Sequence, residues 1–216
     1  MDNTGKLLSA LADLLGYWLR AAGLATAFGL RGPLAAWVLG QLALRPADRV
    51  LELGCGPDMV MKAILDAHKT VFVAAVDQDP ERIARAWRQN TRAIAAGRAM
   101  LIQTGTAASL PAFASPFTKA VAVNAAGLAD QPAAVLEAMR AALAPGGQIV
   151  LVFQPADQED GLRLIGKEFH QHLVAAGFTS VQISERPAQP GAAVSISGVV
   201  PSGAGDAANH AARPCP

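Results

Sequence analysis

The sequence predicts an α/β fold: a mainly parallel sheet with helices on both faces and an antiparallel hairpin at its carboxyl end. Three observations carry that reading. Short apolar runs alternate with longer amphipathic stretches from Arg49 to Ala176. The first run, Val50–Leu53, feeds directly into a glycine turn, Gly54-Cys55-Gly56, and such turns build ligand sites at the carboxyl ends of parallel strands. Two strand-like runs, Ser180–Arg186 and Ala192–Val199, then close the pattern through the turn-forming stretch Pro187–Gly191.

Taken in order, residues Leu7 to Leu44 read as helical, rich in Ala and Leu, with an interruption at Gly29–Pro33. Tyr17, Trp18, Phe28 and Trp37 in this part serve either as core anchors or as the rim of a pocket. The periodicity then predicts strand Arg49–Leu53, helix Val60–Ala67, strand Val71–Val76, helix Pro80–Ala96 and strand Ala99–Gln103. Helix Pro80–Ala96 carries Arg82, Arg85, Arg88 and Arg92, read as a solvated basic face. Strand Ala120–Asn124, helix Gln131–Leu143, strand Gln148–Phe153 and helix Asp160–Ala176 follow before the hairpin. Pro145-Gly146-Gly147 should stop the preceding helix, because proline lacks a donor and glycine accepts a left-handed backbone. Gly177 is placed to cap the last helix. The count is seven strands. Residues 1–45 form an N-terminal helical extension or lid, 46–200 the α/β domain, and 201–216 a small-residue, flexible tail.

Composition narrows the class of partner. At 216 residues the expectation is one domain with a large core, and 52% hydrophobic against 16% charged residues excludes wholesale disorder. A net charge of +1 gives no basic footprint for nucleic acid. The charge-free runs Ala21–Leu30 and Gly32–Leu44 are shorter than the roughly 20 apolar residues of a membrane span. Met1–Lys6 lacks the basic start of a secretory signal, so a cytoplasmic location is expected. Cys55 and Cys215 supply neither a zinc site nor a disulfide framework.

The ordered signposts resemble the class I S-adenosylmethionine-dependent methyltransferases, and within them the small enzymes related to ubiquinone and menaquinone biosynthesis. Val50-Leu51-Glu52-Leu53-Gly54-Cys55-Gly56-Pro57 resembles the first motif, and Val73-Ala74-Ala75-Val76-Asp77 the second strand with its terminal acid. Leu143-Ala144-Pro145-Gly146-Gly147 resembles the turn before the fifth strand, and Ala175-Ala176-Gly177-Phe178 the turn before the hairpin. The resemblance implies a Rossmann-like sheet, S-adenosylmethionine as cofactor and S-adenosylhomocysteine as product. It also implies a small-molecule acceptor, which the apolar N-terminal helices suggest is aromatic or lipid-like. A homodimer is compatible with the sequence.

On this reading Gly54, Cys55 and Gly56 contact the cofactor through backbone atoms. Asp77, at the end of the next strand, can accept hydrogen bonds from two ribose hydroxyls, or else begin a helix, a role that Asp79-Pro80 also fits. Gln78 flanks the adenine edge. Glu52 orders the turn or reaches the ligand's amino group through water, and needs a partner because a lone buried carboxylate is costly. Thr106 and Ala107 meet the base, Thr106 standing where relatives often have Asp. Asn124 either contacts the methionine part or caps its strand. A third glycine of the first motif is replaced by Asp58.

Asp58 and Thr106 keep open a non-catalytic interaction protein of the same fold. Gly54, Gly56 and Asp77 also mimic a nicotinamide dehydrogenase fingerprint, but Met59 occupies its third glycine position. No catalytic base is assigned. His68 follows a helix, His210 lies in the tail, and helical spacing sets His170 and His172 about 200° apart.

Overall fold

The computed structural model describes residues 33–56, 60–154, 159–186 and 192–203. Tyr17, Trp18, Phe28, Asp58, His210 and Cys215, with most of the N-terminal extension and the tail, lie outside the described residues.

Helix α1 (Pro33–Leu42) precedes strand β1 (Arg49–Leu53), helix α2 (Val60–Ala67) and strand β2 (Phe72–Asp77). Helix α3 (Pro80–Ala95), strand β3 (Ala99–Gln103) and strand β4 (Phe117–Val123) follow. After β4 come a single turn, α4 (Gly127–Asp130), helix α5 (Pro132–Ala142) and strand β5 (Leu143–Phe153). The chain ends with helix α6 (Glu159–Ala175) and strands β6 (Thr179–Arg186) and β7 (Ala193–Val199).

The seven strands among the described residues form one sheet in the order β3-β2-β1-β4-β5-β7-β6. β1 pairs in parallel with β2 and β4, while β7 pairs antiparallel with both β5 and β6. The expected seven-stranded, mainly parallel sheet with a terminal hairpin is therefore present. The chain builds outward from β1 through β2 to β3, then returns to the other side of β1 with β4. That reversal makes a crevice at the carboxyl ends of β1 and β4, where open α/β sheets hold their ligands.

The strands' period of two sends alternate residues to opposite layers. Leu51, Leu53, Ala74, Val76, Ala120, Ala122, Ile149 and Leu151 face α5 and α6, packing with Leu136, Met139, Ile165 and Phe169. Val50, Val73, Ala75, Val121, Val150 and Val152 face the other way, against Val38, Leu42, Met61 and Ile64 of α1 and α2 and Ala86 of α3. Full burial of side chains of this size is worth about 1.5–3 kcal/mol each. These layers hold the crevice rigid.

Caps settle several boundaries. Asp79 is the N-cap of α3, accepting from the Glu81 and Arg82 backbone N–H groups at 2.8 and 3.4 Å, with Pro80 at the first helical position. Gly177, at φ +84°, ends the α6 segment, with Phe178 N–H donating to Leu173 O at 3.0 Å.

Two segments differ from expectation. Pro145-Gly146-Gly147 lies inside β5, which already begins at Leu143. Leu143 pairs with Phe117, and pairing resumes at Gln148 with Lys119 after a register shift. The irregular stretch is closed on its other side by Val200: Gly146 N–H donates to Val200 O, and Val200 N–H to Gly147 O, both at 2.8 Å. The turn α4 was not expected, because four residues of Gly127–Asp130 are too few to show a helical period.

Candidate active site

The crevice is a cleft of about 230 Å³. Its floor starts with Gly54, whose φ of +88° favours glycine and whose N–H donates to Val76 O at 2.8 Å. A Cβ there would stand 3.5 Å from the Ala125 Cβ across the switch point. The turn thus brings bare backbone to the cleft beside the end of β2.

Glu52 lies behind this turn. It is buried and does not line the cleft. Its Oε1 accepts from Val60 N–H at 2.8 Å and its Oε2 from Met61 N–H at 2.7 Å, so it satisfies two donors in the first turn of α2. Burial pushes its carboxyl up to about 8, although both backbone donors pull downward, and Asp77 adds a smaller upward push. Of the two roles read from sequence, ordering the turn has visible partners. Cys55 is 2% exposed and also faces away from the cleft. Burial first, then Asp77 and Glu52, raise its thiol well above the ordinary range. A thiol held neutral in this way is a poor nucleophile.

Asp77 lies at the carboxyl end of β2 and lines the cleft. Its Oδ1 accepts from Asp79 N–H at 2.9 Å. Its Oδ2 is buried and makes no hydrogen bond among the described residues; the Arg82 Nη1 stands 3.9 Å away. Beyond β3, Thr104 donates its N–H to Asp77 O at 3.0 Å, and its buried Oγ1 likewise has no partner among the described residues. Asp77 and Thr104 both line the cleft, while these two oxygens are themselves buried. Such groups cost about 1–3 kcal/mol each when left unmade.

Gly56, Gln78, Ala107 and Asn124 also line the cleft. Asn124, at φ +47°, accepts from Gln154 N–H through Oδ1 at 2.9 Å, so its side chain ties the end of β4 to the residue after β5. Thr106 does not line the cleft; its hydroxyl pairs with Ser109 Oγ at 2.7 Å.

Sequence reasoning missed Thr104, Arg82, Gly127 and Asp130, all of which line the cleft. Arg82 departs from the solvated face to which it was assigned: its Nε lies 3.3 Å from Asp79 Oδ2. Its place in the first turn of α3, just after Asp77-Gln78-Asp79, was the available signal. Gly127 packs so closely that a Cβ would fall 2.6 Å from the Ala107 Cβ and 3.0 Å from the Gln78 Nε2. Among the described residues lining the cleft, Asp77, Asp79 and Asp130 outnumber the single cation Arg82, so the site favours a cationic ligand.

A glycine turn, a strand-end acid and a crevice at the switch point define an α/β nucleotide-type site. Residues 50–147 match the methyltransferase domain family. The chain is 26% identical over 160 residues to the uncharacterized methyltransferase YdaC of Bacillus subtilis, covering 73% of this chain and 86% of that one. In fold it resembles a putative methyltransferase of Bacillus halodurans, with a TM-score of 0.59 at 16% identity over 79% of this chain and 100% of the other. It also resembles phosphoethanolamine N-methyltransferase 2 of Haemonchus contortus, solved in complex with S-adenosyl-L-methionine. There the TM-score is 0.63 at 10% identity, over 77% of this chain and 52% of that one. Over residues 50–147 the chain is thus similar to methyltransferase domains, and the likeness points to methyl transfer. No described helix is long and apolar enough to cross a membrane.

Proposed function

We propose that this protein binds S-adenosylmethionine in the β1–β4 crevice and methylates a small-molecule acceptor in the cytoplasm. The observation that carries this is Asp77, which ends β2 and lines the crevice beside the Gly54 turn. A carboxylate at that place is suited to accept from ribose hydroxyls. The excess of lining carboxylates suits a ligand whose sulfonium and ammonium outweigh its one carboxylate.

When bound, the cofactor supplies an activated methyl group on sulfur, with S-adenosylhomocysteine left behind. The chain's own work is positioning. Gly54 and Gly56 offer backbone without side-chain bulk, Asp77 fixes the ribose, and Gln78 and Ala107 border the base end. Asn124 holds the end of β4 where an acceptor must approach. Orientation of this kind can provide about 7–11 kcal/mol of a barrier. No histidine lines the cleft among the described residues, and the carboxylates of Asp79 and Asp130 are the side chains there that could take a proton from an acceptor.

Isothermal calorimetry on the full chain tests the reading. S-adenosylmethionine should bind, and Asp77→Ala should weaken it tenfold or more, about 1.4 kcal/mol. Failure to bind at millimolar ligand would overturn the assignment; an unchanged affinity in the variant would remove the ribose role alone.

A further inference from the structure

We propose that the outward face of helix α3 docks this protein on an anionic lipid bilayer, with Arg85, Arg88 and Arg92 meeting the head groups and Trp87 entering the interface. None of these four residues belongs to the lining of the cleft.

Helix α3 carries four arginines against one glutamate, Glu81, which sits in its first turn. Its inner side is fixed by the sheet: Ala86, Asn90 and Ala93 are buried, and Ile83 and Ile94 pack beside them. With 3.6 residues per turn, Arg85, Arg88 and Arg92 fall within about 60° of one another, on the side away from that core. All three are exposed, and their guanidinium groups make no hydrogen bond or ion pair among the described residues. Arg82 differs, because it turns into the cleft toward Asp79 and Asp77. Trp87, on the flank of the same surface, is 50% exposed. Past the end of the helix, Arg98 Nη1 donates to His68 O at 3.2 Å and Lys69 Nζ to Asp66 O at 2.9 Å. Two further positive charges, each held by a backbone carbonyl, thus extend the patch. The carboxylate of Asp66 is paired with Lys62 at 2.8 Å. A whole-chain charge of only +1 makes this concentration local.

The shape of the face selects the partner. The outer side of a packed helix is convex and encloses no small anion. From Arg85 to Arg92 the axis runs roughly 10 Å, about three base steps of a duplex, too short a track for a nucleic acid. An anionic bilayer asks for less. Each arginine near its surface strengthens binding about fivefold, and an indole is well placed at head-group depth. Because Asp79 and Arg82 in the first turn of α3 line the cleft, docking through this helix sets the cleft beside the bilayer surface.

Co-sedimentation of the full chain with vesicles tests this. The protein should bind vesicles of phosphatidylcholine and phosphatidylserine in equal parts, and not vesicles of phosphatidylcholine alone. Binding should vanish at about 1 M salt, where the screening length is near 3 Å. Arg85→Gln, Arg88→Gln and Arg92→Gln combined should weaken it about a hundredfold, and Arg88→Gln alone about fivefold. The melting temperature of the triple variant should match the wild type's, since no partner is lost. Mixed vesicles should shift the indole emission to the blue, and Trp87→Ala should remove that shift. Equal binding to the neutral vesicles, or unchanged binding in the triple variant, would overturn the proposal. So would a blue shift that survives Trp87→Ala, which places the contact elsewhere, or a lowered melting temperature in the triple variant, which gives the arginines work inside the fold. Tighter binding to polyuridylate than to the mixed vesicles would overturn it in favour of a nucleic acid.

Discussion

Glu52→Gln tests the idea that the acid beneath the glycine turn belongs to the scaffold. The carboxyl is buried and accepts from Val60 and Met61 N–H at 2.8 and 2.7 Å. Gln keeps one acceptor oxygen, so one helix N–H must face an amide NH2. An unmade buried hydrogen bond costs about 1–3 kcal/mol. The second part of the effect depends on pH. Burial raises the group from an ordinary 4.5 to about 8 in the folded protein. A carboxyl with a raised folded value binds its proton more tightly when folded. Its contribution to stability is fully present below 4.5 and is lost as pH rises through about 8. The displacement corresponds to on the order of 5 kcal/mol across that window.

Urea unfolding of both proteins between pH 5 and 8.5 measures this. Glu52→Gln has no group to titrate, so its stability should decline less with pH than the wild type's. The wild type's advantage, largest near pH 5, should shrink by several kcal/mol toward pH 8. A difference that stays constant or grows with pH would refute burial as the dominant influence on Glu52. A wild-type advantage growing with pH would mean that the two N–H donors win and the carboxylate is ionised.

Cys55→Ala should keep methyl transfer within about twofold and lose about 1 kcal/mol of stability, measured by turnover and by urea unfolding; loss of turnover with intact folding would contradict the neutral, buried thiol. Native protein should also react slowly with iodoacetamide at the Cys55 position, read by mass spectrometry, and quickly once unfolded. Gly147→Ala places a Cβ 2.8 Å from the Ala144 carbonyl oxygen, a backbone clash that should cost about 1–3 kcal/mol. An unchanged melting temperature in that variant would show that the β5 bulge yields easily.

The fold was legible because its cues are local and repeated. Each parallel strand is a short apolar run, Asp79-Pro80 starts a helix and Gly177 ends one. What stayed hidden depends on distances in space. The β5 bulge needs Phe117, Val200 and Leu143 brought together from three separate segments. Arg82 reads as one member of a basic helix face until Asp79 and Asp77 fold against it. Thr104 carries no motif, and only the fold brings it to the cleft. Six of the nine residues named for the cofactor line the cleft: Gly54, Gly56, Asp77, Gln78, Ala107 and Asn124. Glu52, Cys55 and Thr106 are neighbours in sequence whose side chains have other work.

Position along the strands, not parity, divides the acids: Glu52 lies beside Ala75, and Asp77, two residues further on, shares its side of the sheet but ends its strand. In β1, Val50 packs in the layer of α1 and α2, while Leu51 and Leu53 pack in the layer of α5 and α6. Glu52 shares parity with Val50 and must point toward the α2 side, where the helix's first N–H groups await an acceptor. Asp77 is the last residue of β2 and lines the crevice, with Oδ1 accepting from Asp79 N–H. One acid therefore stabilises the turn and the other meets what the turn receives. Exchanging their chemistry should be asymmetric: altering Glu52 moves stability and its pH dependence, whereas altering Asp77 moves affinity.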